Sequence, residues 1–329
     1  RTNSAAYRVT EAAEFIALDA IEAHLDVLRN QDLVRQSEQN LAAHRAILDR
    51  IREDPGFIRF TQSELNLSEA RHAAAEEVVA TAKGNLLDAK ARFLRVTGIE
   101  PKELENRPVP GPGEGFPDDA EVAARRAFDQ SPTVQIANAD IDVAKAELKG
   151  SRAGYYPRFD LEVGAAANRQ IDGFTGSNVD AQALLVMRYN LFRGGGDIAR
   201  EREAFSRLGE SRETLRKAQN EAEEQARVSF NAFETAGARV RALFRQTRAN
   251  EATRLGFAEE FDGGERNLLD RLDVENEYYL SKANLTTAEY TRDFAVYRVL
   301  AVTGDLLPTL DIDHPKESIN IWRERVTED

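Results

Sequence analysis

The chain has 329 residues, 31% of them charged, a formal net charge of −13 and no Cys. The missing Cys excludes a disulfide framework, a Cys-ligated zinc site, an iron–sulfur cluster and thiol catalysis, and the scattered His24, His44, His72 and His314 leave little for a His-rich metal centre. The acid excess argues against a general nucleic-acid binder, which needs clustered Lys and Arg to neutralise phosphates. No run of about 20 apolar residues is present, which excludes a transmembrane helix but not a membrane β-barrel, whose alternating strands barely raise mean hydropathy.

From about Ala5 to Arg52, apolar residues such as Val9, Ile16, Leu25, Leu33, Leu41 and Leu48 return every three or four positions with no Gly or Pro between them. This predicts a helical rod of roughly 70 Å. Asp54-Pro55-Gly56 breaks it. A second periodic stretch, from about Thr61 to Val96, ends at Thr97-Gly98, where Gly suits a left-handed C-cap. Residues 105 to 117, with four prolines and three glycines, read as an extended connector. A helix opening at Pro117-Asp118 then runs to about Gln130, with Asp118 or Asp119 as its cap, and another runs from Ser131-Pro132 to about Arg152.

The period then changes. Phe159, Leu161, Val163, Ala165 and Ala167 alternate with Arg158, Asp160, Glu162 and Gly164, which predicts a strand. A loop rich in Gly, Ser, Asn and Asp, from Asp172 to Asn178, leads to a second strand from about Asp180 to Phe192. Strands of about 12 residues suit a tilted membrane strand better than an ordinary soluble one. Tyr155, Tyr156, Tyr189 and Phe192 flank their near ends, either as an interfacial girdle or as packing between strands and helices. Gly194-Gly195-Gly196 lacks the Gly-Lys-Ser/Thr of a phosphate loop and reads as a strand-to-helix hinge. A very long helix from about Asp197 to Phe261, a turn at Asp262-Gly263-Gly264, and a last helix from about Asn267 to Val302, closed by Thr303-Gly304, complete the pattern.

The chain is an internal duplication. Val96-Thr97-Gly98 recurs as Val302-Thr303-Gly304, and at the same separation Glu64 meets Asp270, Glu69 meets Glu275 and Arg92 meets Arg298. Arg35-Gln36 with Asn40 likewise matches Arg245-Gln246 with Asn250. Each unit is a long helix, a tip turn and a returning helix. The second unit is preceded by a strand hairpin, so the duplication predicts an equivalent hairpin upstream of Arg1, and with it a natural N-terminus beyond this chain.

Tyr156-Pro157, the alternating strand, Tyr189 to Gly195, the long helix, Gly264-Glu265-Arg266-Asn267-Leu268-Leu269-Asp270 and Tyr297-Arg298 through Gly304 succeed one another in an order that resembles the TolC family of outer-membrane channel-tunnels. Ser63-Glu64, Ala70-Arg71 and Val96-Thr97-Gly98 match in the first unit. The likeness is nearest to type I secretion components of the LapE and AggA kind. It implies a mainly α fold with a short membrane β-hairpin, its long antiparallel helical hairpins in two repeats forming a trimeric α-helical tunnel plus a β-barrel. The expected organisation is a repeat-1 helical hairpin over 1–104, a connector with equatorial helices over 105–154, an outer-membrane β-hairpin over 155–195, a repeat-2 helical hairpin over 196–304 and a C-terminal equatorial tail over 305–329.

The resemblance further implies a homotrimer in the Gram-negative outer membrane that reaches through the periplasm. Its partners would be a periplasmic adaptor, or membrane fusion, protein, an inner-membrane ABC transporter or alternatively a proton-driven pump, and outer-membrane lipid. It implies no cofactor and no catalysis. The cargo would be a protein, a large adhesin among the candidates; the rival readings are the outer-membrane component of a drug efflux pump and, in another class, a soluble coiled-coil scaffold. Asp270 and Asp273 match the paired acidic residues that ring the periplasmic entrance, where six carboxylates of a trimer would select cations; taken alone, two acids near a helix start simply favour the macrodipole. Arg266 matches a tip residue linking protomers in the closed state, Ser63 and Glu64 its partner region, and Phe261 a position held by Tyr in a related tunnel. Arg271, between the two acids, is a further candidate to compensate their charge. Gly56 and Phe57 on one tip turn, and Gly263 and Gly264 on the other, are the expected adaptor contacts.

Overall fold

The computed structural model describes residues 2–53, 60–102, 104, 115–169 and 177–318. In chain order the elements are α1 (Thr2–Arg52), α2 (Gln62–Thr97), α3 (Ala120–Gln130), α4 (Pro132–Ser151), strands β1 (Arg158–Arg169) and β2 (Ser177–Arg188), α5 (Gly196–Gly263), α6 (Leu268–Thr303) and the one-turn α7 (Leu306–Thr309). The chain forms two compact units, one of Ile136–Ala218 with the first few residues, the other of Ala5–Gln135 with Gln219 onward. No described helix is long and apolar enough to cross a membrane.

In the first unit, β1 and β2 pair antiparallel as a two-stranded sheet, from Arg158 opposite Arg188 to Arg169 opposite Ser177. This register places Phe159 opposite Met187, Leu161 opposite Leu185, Val163 opposite Ala183, and Ala167 opposite Val179. Because side chains alternate faces along a strand, all of these lie on one face, and its larger members are 60 to 76% exposed. The other face carries a charged network, together with Leu184 and Val186. Asp160 is bonded by Arg158 at 2.7 Å and by Arg188, which also reaches Glu162 at 2.9 Å. The second strand begins inside the expected loop and ends at Arg188, four residues short of Phe192. Its partner explains the end: Arg158 follows Pro157, which has no N–H to continue the ladder. Tyr155, Tyr156, Tyr189 and Phe192 are all exposed, and the Tyr155 hydroxyl donates to Glu201 on α5 at 3.0 Å. Gly194 and Gly195 both take positive φ just before α5 begins, the geometry of a strand-to-helix hinge.

In the second unit, the two repeats reproduce each other's local geometry. Thr61 caps α2 and accepts from Glu64 N–H at 3.3 Å, while Glu64 accepts from Thr61 N–H at 2.7 Å, a reciprocal capping box. At the duplicated position Asn267 caps α6 and accepts from Asp270 N–H at 2.8 Å. The helices end alike: Gly98 at φ +72° and Gly304 at φ +80° are left-handed caps, a conformation that costs a side chain its ease. The tip of repeat 2 departs from expectation by two residues. Helix α5 continues through Asp262 and Gly263, and left-handed Gly264 closes it, with Gly264 N–H bonded to Phe261 O and Glu265 N–H to Glu260 O. This is a Schellman closure, which needs the extra turn.

Two apolar clusters bracket this unit. Near the tip Ile47, Ile51, Phe60, Phe261, Leu268 and Leu272 are buried together, and toward the other end Leu25 and Leu28 pack on Tyr290, Val296, Leu300 and Leu306. Between them runs a polar band. Gln36 donates to Thr286 at 2.7 Å, Thr247 to the Ser281 carbonyl at 3.1 Å, and Asn40, His44 and Glu275 are buried nearby. The tail starts by packing, since Leu306 and Leu307 are buried; Trp322 and the remainder of the expected tail from residue 319, like the connector over 105–114, lie outside the described residues.

Candidate functional site

The start of α6 carries the acidic pair. Asp270 stands in its first turn, held by the Asn267 cap, and Asp273 follows one turn on, so both belong to neighbouring positions of one helix surface. Their side chains are 37% and 54% exposed. Each meets an arginine, and the two arginines differ in origin. Arg266, four residues earlier, approaches Asp270 at 3.5 Å, whereas Arg71 of α2, from the other repeat, donates to Asp273 at 2.7 Å.

Arg266 is held from three sides. Its Nε and Nη2 both donate to one Glu260 oxygen, at 2.8 and 2.6 Å, and its guanidinium lies 3.9 Å from the centre of the Phe257 ring, a cation–π geometry. Glu64 is engaged in its own helix cap, and Ser63 beside it is exposed. The chain therefore brings Arg266 to Glu260 and Asp270 and spends Glu64 on Thr61. Phe261 turns inward, stacked on Phe60 with ring centres 5.8 Å apart, and Arg50 lies over its ring. Arg50 also bonds Asp262, so α1 and α5 are joined at the tip by charge as well as by apolar contact. Gly263 and Gly264 are exposed at the turn itself. Gly56 and Phe57 lie outside the described residues.

Arg271 does not serve the acidic pair. Its side chain is 12% exposed and forms an ion pair with Glu275, itself 5% exposed and also approached by Arg254 at 3.5 Å. The reason is periodic: positions 271 and 275 share the buried stripe of α6 with Leu268 and Leu272, while 270 and 273 fall outside it. The i,i+4 spacing of Arg271 and Glu275 was a signal for this pair, since residues so spaced are neighbours on a helix. No such local signal marks Arg71, 202 residues from its partner.

Above the tip, Gln36, Asn40, Arg254, Glu275, Tyr278 and Lys282 line a cavity of about 210 Å³. His44 is buried close by, and desolvation pulls its imidazole below the ordinary range, with Glu275 opposing the shift and Arg71, Arg271 and His72 reinforcing it. Buried polar atoms of Gln36, Asn40, His44, Asn250 and Arg254 have no hydrogen-bond partner among the described residues. Each such group weakens the packing around it.

The family described as Outer membrane efflux protein matches residues 123–305. The chain is 23% identical over 291 residues to the Outer membrane efflux protein BepC of Brucella suis, covering 87% of this chain and 62% of that protein. It is 24% identical over 261 residues to the Proteases secretion protein PrtF of Dickeya chrysanthemi, covering 78% and 55%. The chain thus spans little more than half the length of these curated relatives. Among solved structures, the open-state MtrE outer membrane channel of Neisseria gonorrhoeae superposes with a TM-score of 0.77 at 16% identity, over 92% of this chain and 69% of that one. The CmeC outer membrane channel of Campylobacter jejuni gives 0.75 at 12% identity, over 99% and 68%. These structural likenesses establish the shared fold.

Proposed function

The chain belongs to the outer membrane efflux protein family, the TolC-like channels of the Gram-negative outer membrane that extend through the periplasm, and from that premise we propose that it forms the exit duct of a type I secretion system. Three copies assemble, their strands joining a barrel and their helices a tunnel. A periplasmic adaptor and an inner-membrane ABC transporter deliver a protein substrate, a large adhesin fitting the sequence likeness. The duct is passive, and energy comes from the inner-membrane partner.

One observation carries this reading. The β1–β2 register puts Phe159, Leu161, Val163, Val179, Leu185 and Met187 on one exposed face, and the Asp160, Glu162 and Arg188 network, with Leu184 and Val186, on the other. Twelve residues span about 40 Å extended and about 29 Å at a tilt of 45°, which matches the hydrocarbon thickness of a bilayer. Such a hairpin fits lipid outside and water inside, whereas a soluble coiled-coil scaffold has no use for it. Secretion rather than drug efflux is supported by PrtF and by the Alkaline protease secretion protein AprF of Pseudomonas aeruginosa, 23% identical over 236 residues. The efflux reading has its own support in the name of BepC.

The expected gate is the acidic pair. In a trimer Asp270 and Asp273 form two rings of carboxylates at a narrow entrance, where they favour cations and hold multivalent ones. Arg266, Glu260 and the Ser63–Glu64 turn form the surface through which neighbouring tips lock, Phe261 anchors that surface from within, and the turns at Gly56-Phe57 and Gly263-Gly264 meet the adaptor. Crosslinking at the tips of the intact protein in cells, followed by mass spectrometry of the captured inner-membrane complex, tests the assignment. An ABC transporter with its adaptor supports secretion, and a proton-driven pump replaces it with efflux. In bilayer recordings, unchanged cation selectivity after Asp270→Ala and Asp273→Ala would remove the acidic-ring assignment.

A further inference from the structure

The two carboxylates of the acidic pair are compensated in different ways, and the difference has a mechanical consequence. Arg266 reaches Asp270 from four residues earlier in the same chain segment, at the start of α6. Arg71 reaches Asp273 from α2, across the contact between the two helical hairpins. The Arg71 bond is also the tighter, at 2.7 Å against 3.5 Å. Any motion that parts α2 from α6 lengthens the Arg71–Asp273 pair and leaves Arg266–Asp270 as it was.

We infer that Arg71 is a specificity-determining residue of the channel, which masks the charge of Asp273 while the hairpins are packed and unmasks it when they part. The inference rests on the acidic-ring reading above and deepens it: Asp270 supplies a constant part of the ring's field, Asp273 a part that depends on hairpin separation. Cation selectivity then rises as the tip opens, beyond what a wider entrance alone produces. Behind the pair, buried polar atoms of Asn40, His44 and Asn250 have no hydrogen-bond partner among the described residues, between two apolar clusters.

The test uses the intact channel in planar bilayers, with reversal potential in a KCl gradient and half-blocking concentration of La³⁺ as readouts. Arg71→Gln and Arg71→Met remove the charge, the second keeping the packing of the stem, so loss of assembly in one leaves the other to decide. Both are expected to strengthen cation preference and lower the half-blocking La³⁺ concentration about two- to fivefold, the range set by one exposed ion pair. Arg71→Lys keeps the charge and stays close to the parent. In an Asp273→Asn background the Arg71 substitutions are silent, because the two residues act as one unit.

Loss of block in Asp273→Asn alongside no change in Arg71→Met leaves the ring standing and overturns the role of Arg71. No change in Asp273→Asn itself overturns this inference, and if Asp270→Asn is silent as well the acidic ring falls with it. An Arg71→Met effect that persists in the Asp273→Asn background means that Arg71 acts through another group, and the inference fails.

Discussion

The buried carboxylate of Glu14 accepts a hydrogen bond from the backbone N–H of Leu307 at 3.4 Å, tying α1 to the short helix that follows α6. Its second oxygen has no partner among the described residues, and only 2% of the residue is exposed. Desolvation, with a smaller push from Asp305, raises its pKa to about 7, against the pull of the Leu307 and Leu306 N–H groups. Asp305 is in turn held by Arg126 at 3.1 Å and Thr303 at 2.8 Å.

Glu14 and His44 are therefore expected to tilt stability in opposite directions with pH. Native Glu14 keeps a proton that the unfolded chain releases near the ordinary value of 4.5, so its contribution is greatest below that value and falls as pH rises to about 7. The loss is of the order of 3 kcal/mol at most. His44 is depressed, so the unfolded chain takes a proton that the native chain resists, and stability falls as pH drops below about 6.5. Melting temperatures between pH 5 and 8 separate the two: Glu14→Gln removes the decline toward neutral pH, and His44→Gln removes the decline toward acid.

The Arg271–Glu275 pair is buried from water, with Arg254 at its flank. Glu275→Ala leaves Arg271 buried without its counter-charge and is expected to cost about 3–5 kcal/mol. The double change Arg271→Met with Glu275→Leu removes both charges and keeps the volume, and should cost much less. Denaturant unfolding of the two variants gives the comparison, and equal losses would contradict the burial argument.

At the tip, Leu272 is fully buried among Ile47, Ile51 and Phe261. Leu272→Ala is expected to lose about 2–5 kcal/mol through the cavity it leaves. The exposed neighbour Leu269 lies outside that cluster, and Leu269→Ala should stay within about 0.5 kcal/mol. Hydrogen exchange at the tip then rises in the first variant and not in the second.

The duplicated caps make a matched pair. Asn267→Ala and Thr61→Ala each remove the acceptor for a first-turn N–H, that of Asp270 and Glu64 respectively, and each is expected to cost about 0.5–2 kcal/mol. The Thr61 variant loses in addition the bond that its hydroxyl donates to Glu64 at 2.9 Å, while the Thr61 N–H keeps its bond to the same carboxylate. Exchange protection in the first turns of α2 and α6 reads both losses locally.

Much of this was already decided within a few residues of chain. Helices α1, α2, α5 and α6 follow from long apolar periodicity without Pro; Thr61, Asn267, Gly98 and Gly304 end them by contacts no more than five residues long; and the alternation from Phe159 to Ala167 makes a strand whichever way the rest folds. The duplication, and through it the likeness to the channel family, rests on the same local patterns. The tertiary structure decided which charges meet. Asp273 faces Arg71 from across the hairpins, Arg271 turns inward to Glu275, and Glu14 is buried under Leu307. The facing of residues on helices of 36 to 68 residues depends on their accumulated twist, and an α-helix drifts about 20° per heptad from a strict seven-residue repeat. Over such lengths that drift moves a side chain from one neighbour to the next, so partners across the bundle are chosen by packing, whereas caps and turns are chosen by adjacent residues.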